Sequence, residues 1–403
     1  MRICLVLPHD SIGLTQPNFA HFMAYSGHEV SVIAPLEWLR FTRVRETWKH
    51  FQVRLHLITV PAGRLGCSMP RIYEFLYDIA STTRILTLAK TFDVIYFKST
   101  TPAFLFLLVP RRKATVVFGD GGPLPRYLSS RLVRLMSKVM RRFVFSRANG
   151  IELAGGVSFG KQMKIEFGLS DRNVLVCPDG VDTTIFSQGT PSDRDSLRPR
   201  MILSVGNIHP VKNQLTLLRC LPQVLPTHPD IEVVLVGPKK DLRYLSQMSQ
   251  YLLENSLNCV RLTGIVTQAE LMSYYNTADV FVHMSVAEGT SRAILEAMAL
   301  GKPIVASSIP ENLECAPTGS EMLFVSPFDV NGLAKCINNL LDDPEKTKSL
   351  GSRAAITAAE KFDFAVVFST RLEFLRLMVD KSRAQMIKTR SRVNSESSTQ
   401  LLS

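Results

Sequence analysis

Short apolar runs alternate along the whole chain with segments long enough for helices, and this alternation is typical of parallel sheets covered by helices. In the first half, the runs that predict buried strands lie at 3–7, 30–34, 94–97, 115–118 and 173–177. In the second half they lie at 201–205, 232–237, 260–262, 280–283, 303–306 and 322–325. Both halves are therefore predicted to be doubly wound α/β units of the Rossmann-like type.

The segment between the two halves differs in composition. Residues 187–200 are SQGTPSDRDSLRPR, where Gly, Pro, Ser and charged residues replace the apolar periodicity. We therefore predict a first domain at 1–187, a linker at 188–200 and a second domain at 201–365. Residues 389–403 are polar and non-periodic, which predicts a disordered tail.

The chain of 403 residues is long enough for two domains, and its hydrophobic content of 46% is ample for two cores. Its longest uncharged apolar run, AFLFLLVP at 103–110, is far shorter than the roughly 20 residues that cross a bilayer. The opening MRICLVLPHD becomes polar too soon for a secretory signal and predicts a buried strand instead. We therefore expect a cytoplasmic protein without a membrane span.

No metal site is predicted. The seven cysteines are scattered singly, without CxxC pairs or histidines at metal-ligand spacing, so we interpret them as reduced core thiols. Asp193, Arg194 and Asp195 form a DxD triplet, an arrangement that binds metals in some enzymes, but they lie in the polar linker rather than after a strand. We interpret this triplet as linker charge.

Basic residues are concentrated between 111 and 147, in a chain whose net charge is +12. Such a charge indicates an anionic partner, and the sequence carries no nucleic-acid-binding signature. In the helical projection of 126–147, one side holds Arg131, Arg134, Lys138, Arg141 and Arg142, and the opposite side holds Leu132, Val133, Leu135, Met136, Val139, Met140, Phe143 and Val144. The segment predicts a basic amphipathic helix. It either lies on an anionic membrane surface or packs its apolar side into the first domain with its basic side in water.

The sequence AEGTSRAILEAMALGKPIVAS follows the predicted strand VFVH and contains the first candidate site. Its AILEAMA segment favours a helix, and Thr290 or Ser291 is a suitable N-cap. Gly289, Thr290 and Ser291 therefore lie where free backbone N–H groups begin a helix and can bind a diphosphate. Glu288 precedes the helix and Glu296 lies about two turns into it, so they can contact different parts of one long ligand. In the simpler alternative, Glu288 complements the helix dipole and Glu296 is solvated.

The second candidate site is SVGNIHPVKNQ, where a predicted strand ends at Gly206 and Lys212 precedes the next helix. A glycine at this turn allows a ligand to approach the backbone, and a lysine supplies a mobile positive charge for phosphate. An ordinary surface position for Lys212 is the alternative.

Taken together and in this order, these segments resemble the large group 1 family of nucleotide-sugar glycosyltransferases, over nearly the whole chain. VLVCPDGVDTTIF is similar to the end of the family's first domain, and SVGNIHPVKN, VVLVGP and LTGIVTQAELMSYYNTADVFVHMS are similar to its second. The most specific part is the Glu-x7-Glu element followed by AMALGKPIVAS. The resemblance implies the GT-B fold, in which two Rossmann-like domains face each other across a cleft. It also implies that residues 366–388, which include FSTRLEFLRLM, form a helix that crosses back to the first domain.

The resemblance also implies roles for the candidate residues. Glu288 would lie at the donor sugar, the three residues after it would present backbone to sugar and phosphate, and Glu296 would bind the ribose hydroxyls. Lys212, beside Gly206, would neutralise the diphosphate leaving group. The implied donor is a nucleoside diphosphate sugar, UDP- or GDP-linked, and no further cofactor is expected.

This chain departs from the family pattern at three positions. Where the family commonly has an arginine after the strand-ending glycine, this chain has Asn207, which can donate a hydrogen bond but brings no charge. In the loop after the first strand, only Gly13 remains of the family's paired glycines. Where a histidine is often found near the reacting carbon, the chain has FGDGG, so Asp120 is either a polar contact to sugar or acceptor or an Asp-Gly turn residue.

The reaction implied by the resemblance is hexosyl transfer with retention at the anomeric carbon, through an oxocarbenium-like transition state. Its catalysis would come from fixed positive dipoles and Lys212, and it requires no metal. The expected acceptor is a glycan or a lipid-linked molecule, in the cytoplasm or at the inner face of the membrane. Two other functions remain open: a sugar-nucleotide epimerase of the same fold, and a non-catalytic relative that binds sugar or a partner.

Overall fold

The computed structural model describes residues 1–7, 15–35, 53–58, 70–109, 114–120, 131–187 and 198–400. The chain divides into two compact units. The N-terminal unit comprises Met1–Gly155, Phe159–Cys177 and Phe368–Ser403, and the C-terminal unit comprises Gly156–Ser158 and Pro178–Val367. The chain thus leaves the N-terminal unit at Cys177 rather than at the predicted 187. Most of the predicted linker lies outside the described residues.

The N-terminal unit is built on a seven-stranded parallel sheet with the order β3-β2-β1-β4-β5-β6-β7. Its strands are β1 Arg2–Val6, β2 Glu29–Pro35, β3 Val53–Ile58, β4 Val94–Phe97, β5 Thr115–Asp120, β6 Gly150–Ala154 and β7 Val174–Cys177. Its helices are α1 Thr15–Tyr25, α2 Pro70–Leu88, α3 Thr100–Leu108, α4 Arg131–Arg147 and α5 Val157–Phe167. The central strands are apolar on both faces because helices cover both, as a parallel sheet requires.

Two strands of this sheet, β3 and β6, are absent from the sequence-based prediction. β3 is an edge strand in which Arg54 and His56 alternate with apolar residues. β6 is fully buried although it contains Glu152, whose carboxylate lies 3.2 Å from Lys98 Nζ and 2.9 Å from Arg371 Nε. Both cations come from distant parts of the chain, so the local pattern gives no sign that a carboxylate can be buried here.

The C-terminal unit is built on a six-stranded parallel sheet with the order β10-β9-β8-β11-β12-β13. Its strands are β8 Arg200–Val205, β9 Ile231–Val236, β10 Val260–Gly264, β11 Val280–His283, β12 Ile304–Ser307 and β13 Leu323–Val325. Its helices are α6 Gln214–Val224, α7 Leu242–Glu254, α8 Gln268–Thr277, α9 Arg292–Ala299, α10 Pro310–Leu313, α11 Val330–Asp342 and α12 Pro344–Thr357. The strand order reverses between β8 and β11, which makes their carboxyl ends the topological switch point of this sheet.

The last helix, α13 Phe364–Gln400, begins in the C-terminal unit and belongs to the N-terminal unit from Phe368 onward. Its buried face contains Phe368, Leu372, Leu375 and Met378, which confirms a helix over the predicted 366–388. The expectation of disorder from 389 is wrong as far as Gln400, because the helix continues through these residues. Once a helix is nucleated, each added residue costs little, so polar residues can extend it.

Helix α4 lies where the basic amphipathic helix is predicted, but its orientation differs. Arg141, predicted on the solvent side, is 11% exposed and pairs with Asp120 at 3.2 Å. Leu135 and Val139, predicted on the buried side, are 59% and 58% exposed. The buried carboxylate at the end of β5 draws Arg141 inward, which rotates its apolar neighbours outward.

Among the described residues, no helix combines the length and the apolar character needed to cross a membrane.

Candidate functional site

The strongest candidate residues lie at the switch point of the C-terminal sheet. Gly206 directly follows β8, and Glu288 lies in the loop that follows β11. Since β8 and β11 are neighbouring parallel strands, their carboxyl ends meet at one edge of the sheet, where open α/β sheets bind ligands. The two segments singled out in the sequence are therefore brought together by the topology.

The turn after β8 is closely packed against the turn after β9. The N–H of Gly206 donates to the carbonyl of Val236 at 2.8 Å. A Cβ added at Gly237 would lie 2.1 Å from the carbonyl oxygen of Gly206, so position 237 accepts only glycine without movement of the backbone. At Gly206 a Cβ would lie 3.6 Å from the Lys212 stem, which places the lysine directly over this turn.

Asn213 fixes the loop that carries Lys212. It adopts a left-handed conformation with φ 52° after the 3₁₀ turn Pro210–Lys212. Its side-chain amide donates to the carbonyls of Met284, at 3.2 Å, and Pro327, at 2.6 Å. These bonds join the loop after β8 to the loops after β11 and β13, and they were not predicted from the sequence.

A backbone hydrogen bond makes the same connection one residue away. The N–H of Val286 donates to the carbonyl of Val211 at 2.9 Å. With Asn213 anchored on one side of Lys212 and Val211 on the other, the lysine side chain is directed at the loop that contains Glu288.

Glu288 is the centre of a buried network of charged and polar groups. Its Oε1 accepts from Lys212 Nζ at 2.5 Å and lies 2.8 Å from His283 Nε2. The hydroxyl of Ser291 lies 3.1 Å from the same imidazole nitrogen. The side chains of His283 and Glu288 are 3% and 8% exposed, and that of Lys212 is 23% exposed. The lysine is thus the member of the network that is most open to solvent.

This network sets the ionisation of Glu288. Burial raises the pKa of the carboxyl, but the hydrogen bond and charge of His283 and the charge of Lys212 outweigh it and lower the pKa to about 2. Glu288 is therefore ionised at neutral pH. A second carboxyl nearby behaves in the opposite way: burial, with the charges of Glu314 and Glu288, raises the pKa of Glu311.

Helix α9 begins directly beyond this network. Ser291 occupies the N-cap position, but its hydroxyl makes no capping bond and is directed at His283 instead. Thr290 accepts from the N–H of Asp179 at 3.4 Å. Since neither of these bonds engages the first turn of the helix, the amides that begin α9 remain suited to bind an anion next to Gly289.

Glu296 lies in the same helix, apart from Glu288. Its carboxylate accepts from the hydroxyl of Tyr275 at 2.9 Å. Burial raises the pKa of Glu296, although the Tyr275 bond and the charge of Arg292 oppose this rise. Tyr275 is fully buried, and its hydroxyl, whose one proton is shared between Glu296 and the carbonyl of Ala293 at 3.2 Å, fixes the orientation of Glu296.

The remaining predicted residues lie elsewhere. Asn207 is exposed, and its carbonyl accepts from Gln214 at 2.9 Å. Asp120 belongs to the N-terminal unit, where it is 3% exposed and pairs with Arg141, so its role at sugar or acceptor stays a prediction. Gly13 lies outside the described residues. Within the described part of the chain, no three His, Cys, Asp or Glu side chains are grouped to bind a metal.

His283, Asn213 and Tyr275 are the functional candidates that sequence reasoning missed. His283 has a detectable signal, since it is the polar last residue of the otherwise apolar strand VFVH, at a carboxyl end. Asn213 and Tyr275 have no comparable signal, because their partners are distant carbonyls or another helix.

Comparison with known proteins gives the same assignment. The family model described as glycosyl transferases group 1 matches residues 199–343. A mannosyltransferase of Corynebacterium glutamicum, which is GDP-mannose-dependent and acts on a monoacylated phosphatidylinositol monomannoside, is 29% identical over 43% of this chain and 49% of its own length. A D-inositol 3-phosphate glycosyltransferase of Kineococcus radiotolerans is 28% identical over 54% of this chain and 55% of its own. The chain thus spans about half the length of these curated relatives.

The fold extends further than the sequence similarity. The crystal structure of Anabaena HepE in complex with UDP and glucose superposes with a TM-score of 0.73, covering 93% of this chain and 99% of that one at 20% identity. The sucrose-phosphate synthase of Thermosynechococcus elongatus gives a TM-score of 0.71 over 94% of this chain and 100% of its own, at 16% identity. These findings confirm the resemblance: residues 199–343 match the group 1 glycosyltransferases, and the chain, with its two Rossmann-like units, has the GT-B fold.

Proposed function

We propose that the chain transfers a hexosyl group from a nucleoside diphosphate sugar to a glycan or lipid-linked acceptor, with retention at the anomeric carbon. The observation that carries this proposal is the Lys212–Glu288 pair at the switch point, directly before the first amides of α9. A cation, a fixed carboxylate and a helix N-terminus together match a donor that joins two phosphates to a sugar. The UDP complex of HepE agrees with such a donor.

Each residue has a distinct part in this reaction. Lys212, which is partly exposed, turns to the diphosphate as negative charge develops on it, and the amides of α9 add a fixed positive dipole. Glu288 stays ionised and fixes the sugar or its developing positive charge. Glu296, oriented by Tyr275, binds the ribose hydroxyls. Since lysine and dipoles supply the positive charge, the proposed mechanism uses no metal.

The donor is UDP- or GDP-linked in this proposal, and the reaction takes place in the cytoplasm or at the inner face of the membrane. An epimerase remains the second candidate, since it would use the same donor site and would release products without an acceptor. A non-catalytic sugar-binding relative is the third. Asn207, which brings no charge to the phosphates, is the feature that favours it.

The experiment is a donor and acceptor panel with two site variants. Glu288→Gln and Lys212→Met should each lower nucleotide release in the presence of acceptor by about 100-fold or more, the usual effect of removing a group that stabilises the transition state. Glu254→Gln, at the exposed end of α7, is the matched control and should turn over normally. Normal turnover in both site variants would show that the site lies elsewhere, and sugar conversion without acceptor would establish the epimerase.

A further inference from the structure

One exposed face of helix α4 is apolar near the beginning of the helix and polar near its end. Leu135, Val139, Arg142 and Ser146 follow one another at spacings of four, three and four residues, which places them on one face of the helix. Leu135 and Val139 are more than half exposed, and Met136 beside them is 55% exposed. The face is thus apolar toward the beginning of α4, with a cation and a hydroxyl toward its end.

The polar end of this face opens into a surface cavity of about 360 Å³. Arg142 and Ser146 form one wall, and Ser170 and Arg172, in the segment between α5 and β7, form another. The apolar lining consists of Phe145, Ile151, Phe167, Leu169 and Val174. All of these residues belong to the N-terminal unit. The cavity therefore combines two guanidinium groups and two hydroxyls with an apolar floor.

The cations around this face are not equivalent. Arg141 pairs with Asp120, and Lys138 pairs with Glu166 at 2.9 Å, so both are committed to the protein itself. Arg142 and Arg172 border the cavity instead and are exposed. Lys381 of α13 donates to the carbonyl of Arg172 at 2.6 Å, so it supports the segment that carries Arg172 and adds positive charge beside it.

We propose that this surface docks the N-terminal unit on an anionic membrane, with a lipid phosphate group in the cavity. Arginine binds phosphate through two parallel N–H donors, so Arg142 and Arg172 carry this site. The Ser146 hydroxyl donates to the carbonyl of Phe143 at 2.8 Å, and the Ser170 hydroxyl accepts from the N–H of Arg172 at 3.2 Å. Leu135, Met136 and Val139 then enter the boundary between headgroups and acyl chains, next to the bound phosphate. A protein partner would explain the apolar residues, whereas an anionic lipid accounts both for them and for the two arginines at the cavity in line with them.

The chain's overall charge favours the same occupant. A net charge of +12 attracts the protein to an anionic bilayer at long range, before any specific contact forms. This docking does not depend on the proposed sugar transfer, since none of its residues lies in the C-terminal unit.

The test is flotation of the full chain with liposomes of phosphatidylcholine alone or with 30% phosphatidylglycerol added, an amount chosen to be about physiological, at about 0.15 M salt. Binding is expected only with the anionic lipid. Arg142→Gln and Arg172→Gln should each lower the partition coefficient about fivefold. The double variant Leu135→Ser and Val139→Ser should lower it about tenfold or more. The matched controls, Arg243→Gln and Leu253→Ser on the exposed face of α7, should bind as the parent chain does.

Two further arms separate the sources of binding. Inorganic phosphate at millimolar concentration should not release the protein from anionic liposomes, since it lacks the apolar part; release would show that the cavity recognises free phosphate instead. Flotation that is equal with both lipids, or equal losses in Arg243→Gln and Arg142→Gln, would overturn the proposal as unspecific attraction. If the Arg172→Gln variant bound anionic liposomes as well as the parent chain does, the cavity would have no part in docking, because Arg172 borders the cavity but lies outside α4. Circular dichroism verifies that each variant is folded.

Discussion

At the scale of single residues, Glu288 is the most informative position. Its carboxylate is almost fully buried and is satisfied by Lys212 and His283, and the result is a pKa of about 2. A buried carboxylate held ionised in this way stabilises the folded chain, apart from the part it has in the proposed function.

The stability contribution of Glu288 should disappear in acid. Because the folded-state pKa lies below the ordinary 4.5, the ionised carboxylate stabilises the fold above pH 4.5, and this effect is lost as the pH falls toward 2. Glu288→Gln should therefore lower the free energy of unfolding by about 3 kcal/mol at pH 7. The difference from the parent chain should shrink steadily below pH 4.5 in urea titrations. A difference that is the same at pH 3 and pH 7 would contradict the network; Glu254→Gln is the control.

Single residues also show how much of the candidate site could be predicted from the sequence. Glu288 and Lys212 could be predicted because each stands in a motif, and the structure joins them at 2.5 Å. Asn213 could not be predicted, because its side chain binds the backbone carbonyls of Met284 and Pro327. Every residue has a backbone carbonyl, so the residue types at 284 and 327 do not reveal these bonds. The roles of Asp120, which ends β5, and of Gly13, which lies outside the described residues, stay predictions, because the motifs are weakest in the first half of the chain.

At the scale of elements, the turns after β8 and β9 support the site. The carbonyl of Gly206 lies where a side chain at Gly237 would have to be, so the two turns can be this close only with glycine at 237. The backbone of Gly206, over which Lys212 lies, is therefore positioned by a neighbouring strand and not by its own loop alone.

Replacing Gly237 should be far more harmful than replacing another glycine of the same region. Gly237→Ala creates a contact of 2.1 Å with a carbonyl oxygen and should cost about 3 kcal/mol or more of unfolding free energy. Gly264→Ala is the matched control, because φ is +76° there but no heavy atom lies within 4 Å of an added Cβ. Only backbone strain should therefore lower the free energy of unfolding, by about 1 kcal/mol. Chemical denaturation compares the two, and equal losses would refute the importance of this packing.

The sequence predicts elements well where their pattern is local. Nearly all strands of the C-terminal unit are apolar runs of the expected length, and each lies where it is predicted. β6 fails this rule because Glu152 depends on Lys98 and Arg371. The periodicity predicts helix α4, but the orientation of the helix about its own axis depends on the pair that Arg141 forms with Asp120, which lies in another element.

At the scale of the whole molecule, α13 ties the end of the chain into the N-terminal unit. Arg371 is 2% exposed and shares the Glu152 carboxylate with Lys98. Around it, Phe368 packs on Phe19 with ring centroids 5.1 Å apart. The N-terminal core is thus completed by residues that follow the entire C-terminal unit in sequence.

Disrupting this ion cluster should destabilise one unit selectively. Glu152→Gln leaves two buried cations without their carboxylate and should cost the N-terminal unit about 3–5 kcal/mol. Arg383→Gln breaks a pair with Asp93 in which the arginine is 57% exposed, and should cost less than about 1 kcal/mol. In calorimetry, Glu152→Gln should lower the midpoint temperature of the unfolding transition of the N-terminal unit, which is the transition that an added nucleotide does not stabilise. A lowered ligand-sensitive transition would contradict the assignment of this cluster to the N-terminal unit.

The discontinuity of the N-terminal unit has a consequence during synthesis. Cys177 leaves the ribosome about 10–40 s before Phe368 at ordinary rates of translation. Throughout this interval the nascent N-terminal core lacks the helix that covers it, whereas at the end of the interval the C-terminal unit, almost continuous from Pro178 to Val367, has all its strands. The half of the protein that is made first is therefore the half that matures last, and it is the one that must be shielded from aggregation while the chain grows.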